Sequence, residues 1–175
     1  MRPNLMLAAT LASTITAQTT TLKVFQAGVR TESLDALEGS VVNANADATT
    51  FAMQCKSDAP KASCQLQSAA TITQGPSTFY MSGVYSLSAK NTQDIQTLIF
   101  DCVLTSSTKG GSCSTTVIDD IAISTKTLST STSSHFSFTS DQVHYQPLTV
   151  TAGVDKLNAP KATQADDVAA KNAGI

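Results

Sequence analysis

Hydrophobic and polar positions alternate along most of this chain in short runs, each closed by a polar or Gly/Pro turn. That is the period-two signature of β-strands. In residues 19–25, Thr20, Leu22 and Val24 fall on one face. Residues 48–55 alternate less cleanly, with Phe51 and Met53 on one side, and residues 70–73 stop at Gly75-Pro76. Residues 77–87 carry Gly83 in their middle, which predicts a bulge or bend. Residues 95–104 and 114–123 have the clearest strand patterns. Residues 135–138 set Phe136 and Phe138 on a common face, and residues 143–151 close the series. Seven or eight such strands, separated by turns, predict an all-β chain folded as an antiparallel β-sandwich. Only residues 31–37, with Leu34 and Leu37 three apart, read as a helical turn.

The two ends break this pattern. Residues 1–17 begin with Met1 and Arg2, continue through an apolar run at 5–11 and close on Ile15-Thr16-Ala17 before Gln18. Charge, apolar centre and small-residue exit in that order predict a secretory signal peptide. The apolar run is shorter than the about 20 residues that a membrane span requires. Residues 18–153 are then the β-sandwich domain, and residues 154–175 an Ala-rich, polar tail expected to be disordered. A GPI anchor would need a terminal hydrophobic run of about 10 to 20 residues. The expectation is a secreted, extracellular protein with no membrane span and no such anchor.

Composition sharpens the picture. Aromatics are 5% of residues, there is no Trp, and Ser and Thr supply roughly a quarter of the chain. Charged residues are 14%, against roughly 25% in ordinary soluble domains. Such a core is thin, and the surface stays soluble through hydroxyls rather than charge. The net charge of −2 offers no electrostatic footprint for nucleic acid or anionic membrane. No Asn-X-Ser/Thr sequon occurs, which leaves O-linked sugar on clusters such as residues 127–134 as the glycan to expect.

Export makes disulfides the expected state of the four cysteines. Cys55 and Cys64 flank a polar segment containing Pro60, and Cys102 and Cys113 flank another ending in Gly110-Gly111. Each pair brackets a turn between strand candidates, so local pairing is geometrically easy. Four cysteines nevertheless allow three connectivities, and spacing alone leaves all of them open. Zinc would need closer Cys or His spacings than these.

No residue pattern points to catalysis, a cofactor or a metal. His135 and His144, nine apart, read as strand-edge histidines facing solvent rather than as ligands or a general base. Asp119 and Asp120 are neighbours in a strand, so they point to opposite faces and cannot share a proton or a metal. Asp166-Asp167 lies in the tail, and no Ser sits in a Gly-X-Ser-X-Gly elbow. Lys109-Gly110-Gly111 lacks the order of a phosphate loop and reads as a hairpin turn. Tyr80, Tyr85 and Tyr145 are the only amphipathic rings, and packing is their expected use.

Gly39-Ser40-Val41-Val42, the run from Ala46 to Cys55, and Thr71-Ile72-Thr73-Gln74-Gly75-Pro76-Ser77-Thr78 resemble segments of a known group. These are the small secreted, GPI-anchored-type cell-surface or cell-wall proteins of filamentous ascomycete fungi. The closing Pro147-Leu148-Thr149-Val150-Thr151-Ala152-Gly153 is similar to the end of their folded part, so the likeness covers roughly residues 19–153. The resemblance implies a non-enzymatic structural or adhesive role at the fungal cell wall, with wall polysaccharide or surface proteins as partners. The alternative is a freely secreted, effector-like module that binds a host or environmental partner. The chain departs from the group at its tail, where a Ser/Thr-rich stalk and a hydrophobic end would be expected.

Overall fold

The computed structural model describes residues 18–28, 32–89, 92–123 and 125–158. The signal segment and residues 159–175 of the expected tail lie outside them. Nine strands are present: β1 (Thr20–Ala27), β2 (Leu37–Ala44), β3 (Thr49–Cys55), β4 (Ala70–Gln74), β5 (Thr78–Ala89), β6 (Thr92–Ser106), β7 (Gly110–Ile123), β8 (Lys126–Thr139) and β9 (Val143–Ala152). The all-β expectation holds. The two-sheet sandwich is replaced by one continuous sheet, ordered β1-β9-β2-β3-β4-β5-β6-β7-β8. Every pairing in it is antiparallel except β2 with β9.

A single sheet that must bury a core has to curl onto itself. Register carries one apolar row across four strands, with Val41 opposite Phe51, Phe51 opposite Ile72 and Ile72 opposite Met81. Leu148 and Val150 of β9 lie opposite Leu22 and Thr20 of β1, and both β9 residues are fully buried. Two interactions close the curl. Phe25 of β1 packs on Phe79 of β5 with ring centroids 5.1 Å apart, on Phe138 of β8 at 5.7 Å and on Tyr145 of β9 at 5.9 Å. Beside it, the Gln74 side chain at the end of β4 meets the outer edge of β1. Its Oε1 accepts from the Phe25 backbone N–H at 2.9 Å, and its Nε2 donates to the Lys23 carbonyl at 2.9 Å.

Three segments differ from their sequence reading. Leu37, expected to end a helical turn, begins β2 instead, and the chain from Glu32 to Leu34 is irregular; Thr31 lies outside the described residues. The strand expected at 135–138 extends back to Lys126. Residues 154–158, assigned to the tail, form a 3₁₀ turn on β2, where Val154 and Leu157 pack against the core and the Lys156 Nζ donates to the Val41 and Val42 carbonyls. The Gly110-Gly111 hairpin is as expected. Gly110 sits at φ +107°, a conformation L-residues rarely adopt, and a Cβ on Gly111 would lie 2.2 Å from the Val103 carbonyl oxygen.

Both disulfides are local, Cys55–Cys64 and Cys102–Cys113, and no described cysteine is free. Cys102 stands directly opposite Cys113 in the β6–β7 ladder, with their Cα atoms 4.0 Å apart. Removing that bridge as Cys102→Ala with Cys113→Ala is expected to lower stability by about 2–3 kcal/mol, the chain-entropy value for so short a loop. Equilibrium urea unfolding measures it. Gln74→Leu should cost about 1–3 kcal/mol, because it strands two backbone groups of β1. Amide exchange at Phe25 should accelerate in that variant while exchange in the centre of β6 does not.

Candidate functional site

Antiparallel register fixes which side chains share a face, and it assembles one polar row that no spacing in the sequence reveals. Tyr80 of β5 stands opposite Asp101 of β6, Asp101 opposite Ser114 of β7, and Ser114 opposite His135 of β8. All four lie on the outer face, turned away from the core that Phe79, Cys102 and Cys113 fill. The Cys102–Cys113 bridge sits one residue away on the inner face, so it pins the alignment of Asp101 with Ser114. Tyr80 is 40% exposed, Asp101 and His135 are exposed, and Ser114 is half-buried. Asp101, Ser114 and His135 line a shallow, open depression together with Val103, Ser112 and Ser137, and Tyr80 is not part of its lining. A second depression lies over the Cys55–Cys64 loop between Asp35, Lys56, Asp58 and Pro60, where the Lys56 Nζ donates to the Asp35 carbonyl at 2.6 Å.

The row contains Ser, His and Asp, yet its order is wrong for a hydrolytic triad. Such a triad needs the imidazole between carboxylate and nucleophile, so that one ring nitrogen takes the serine proton while the other is held by the acid. Here the serine separates the other two across neighbouring strands, and no hydrogen bond joins the four side chains. Among the described residues no helix terminus supplies oxyanion donors to the row. What it offers is a tyrosine ring, an acceptor carboxylate, a hydroxyl and an imidazole on a rigid surface.

The remaining candidates are dispersed. His144 lies in β9 opposite Gln26, far from His135 in the sheet order. Asp119 and Asp120 do point to opposite faces: Asp119 accepts from the Gln96 Nε2 at 2.8 Å, while Asp120 is exposed opposite Ile95 and Ser129. Asp166 and Asp167 lie outside the described residues. The Tyr145 hydroxyl donates to the Ser107 carbonyl at 2.9 Å. Among the described residues no group of His, Cys, Asp and Glu is placed to hold a metal, and no helix is long and apolar enough to cross a membrane.

Tyr85 is packed beside the bridge between its strand and Leu66, and burial pushes its phenol above the ordinary value of 10.0. Its neutral form is therefore favoured by the fold. The stability this gives is intact below the unfolded-state value and is lost as pH rises through the higher folded-state value. Phenolate absorbance should show a late-titrating tyrosine, and Tyr85→Phe should abolish that late phase.

Residues 17–152 match the family described as Domain of unknown function (DUF8768). The chain is also similar to the Notoamide biosynthesis cluster protein N' of Aspergillus versicolor, with 32% identity over 142 residues. The match covers 81% of this chain and 34% of that protein, so the chain spans about a third of the relative's length. No solved structure matches. The fungal character of the sequence resemblance stands. The structural or adhesive cell-wall role does not, because the relative with a stated context is a biosynthesis cluster protein. The effector-like alternative finds no support either.

Proposed function

Because the chain belongs to the DUF8768 family over the whole of its described β-sheet, we propose that it is a non-catalytic accessory protein of fungal secondary metabolism. It acts outside the cytosol and binds a small metabolite rather than converting it. The observation that carries this reading is the likeness to a biosynthesis cluster protein across 81% of the chain. Two disulfides favour an oxidising compartment. The Tyr80–Asp101–Ser114–His135 row supplies the binding groups: a ring for a flat apolar face, a carboxylate for a hydrogen-bond donor, and an imidazole and hydroxyl for polar substituents.

Gene deletion in the native fungus with metabolite profiling tests it. The expected result is a fall in one end product without accumulation of a single unconverted precursor. Wild-type complementation should restore the product, and the Asp101→Asn, His135→Ala double variant should not. A precursor that accumulates in the deletion strain would identify an enzyme instead. An unchanged metabolite profile would remove the chain from secondary metabolism altogether.

A further inference from the structure

The nine-stranded sheet has two edges, and they are treated differently. The outer edge of β1 is met by Gln74, whose side chain takes up the Lys23 carbonyl and the Phe25 N–H. The outer edge of β8 is bare: among the described residues nothing pairs with it, and of its 14 residues only Phe138 is buried. A long unpaired edge is a template for another strand, and edges that must stay single usually carry proline, a bulge or mid-strand charge. β8 has none of these. It contains no proline, its register with β7 is unbroken, and its only charged or titratable residues are Lys126 and His135.

We infer that a second copy of this chain pairs along β8, antiparallel, with Thr132 on the two-fold axis. An axis normal to the sheet keeps each face continuous, so residues of the same parity meet, and the strand's own sequence selects the register. With Thr132 opposite itself, Leu128 faces Phe136 of the second copy, once on each side of the axis. These two are the large apolar side chains that β8 exposes, at 63% and 36%. Both lie on the same face and both are four residues from Thr132. Between them Thr130 meets Ser134 and Ser131 meets Ser133, so hydroxyls oppose hydroxyls, a favourable cross-strand pairing. The two Lys126 residues fall at opposite ends of the joint, roughly 40 Å apart at about 3.4 Å per residue. Parallel pairing would instead set them side by side. Because the β1 edge is capped, the association closes at two copies rather than growing into a filament.

The full-length, disulfide-bonded chain tests this in sedimentation velocity at micromolar concentration. The expected result is a dimer that dissociates on dilution. Leu128→Lys and Ser131→Lys, both at exposed positions, should each weaken association about tenfold or more while far-UV circular dichroism stays unchanged. Thr132→Cys should give a covalent dimer on mild oxidation, since directly opposed Cβ atoms lie about 4.5–5.5 Å apart. Thr130→Cys should not, because the same register sets it about 14 Å along the strand from its mate. A wild-type chain that stays monomeric throughout the micromolar range would overturn the inference, as would a dimer unaffected by both lysine variants. Amide protection of β8 that does not change with concentration would overturn it too, since it would mean that the chain's own residues 159–175 cover the edge. So would glycan mass on residues 127–134 of the native protein.

Discussion

Phe25 carries the fold's central constraint. A sheet whose strands form a single hydrogen-bonded series has no second layer to bury its apolar face against, so it must supply that layer from its own far end. With no Trp and aromatics at 5%, few side chains are large enough to bridge the gap. The cluster of Phe25, Phe79, Phe138 and Tyr145 does so, drawing on β1, β5, β8 and β9 at once. Gln74 then turns the contact into a closure, because it satisfies the backbone groups that the approaching edge of β1 would otherwise bury unpaired. Dispersion and hydrogen bonding meet at one point, and the remainder of the core is the consequence.

The same closure divides the sheet into two regimes. From β9 through β4 the inner face is filled by Leu148, Val150, Phe51 and Ile72, all essentially inaccessible. Beyond β4's pairing with residues 79–82, the strands β5 to β8 run on as a four-stranded blade. Its side chains are half-buried at best, with Val84, Ile95 and Ile118 on one face and Leu98 and Val117 on the other. There the long β6–β7 ladder maintains register in place of a core, anchored at the core's border by the Cys102–Cys113 bridge. A cross-strand bridge limits slippage, and a one-residue slip would exchange the two faces of the blade and scatter the polar row.

How much of this was legible follows from where each signal lives. Strands whose inward positions are apolar, such as Leu22 and Val24 or Phe51 and Met53, announce themselves because burial imposes the alternation. The local cysteine pairs were favoured for a related reason, since each brackets a turn between two strands, although spacing left the other connectivities open. β2 was not, because Gly39 and the bulge between Val41 and Asn43 break its alternation. The first half of β8 was invisible: its side chains face solvent on both sides, so pairing with β7 makes it a strand and its own burial does not. The single-sheet topology and the Tyr80–Asp101–Ser114–His135 row are register facts. They depend on which strand lies beside which, and nothing in a linear pattern encodes that.

The row and the bare edge also bear on one another. His135 belongs to both, since it ends the row on β8 and sits three residues from Thr132. In the Thr132-centred pairing its strand partner is Ser129 of the second copy, so each row would be continued by a hydroxyl from the other chain. Two rows would then lie on one extended outer face, related by the two-fold axis. A surface of that kind has no need of a deep cleft. Repetition of a shallow site on a rigid sheet can supply through avidity what one open depression lacks in enclosure.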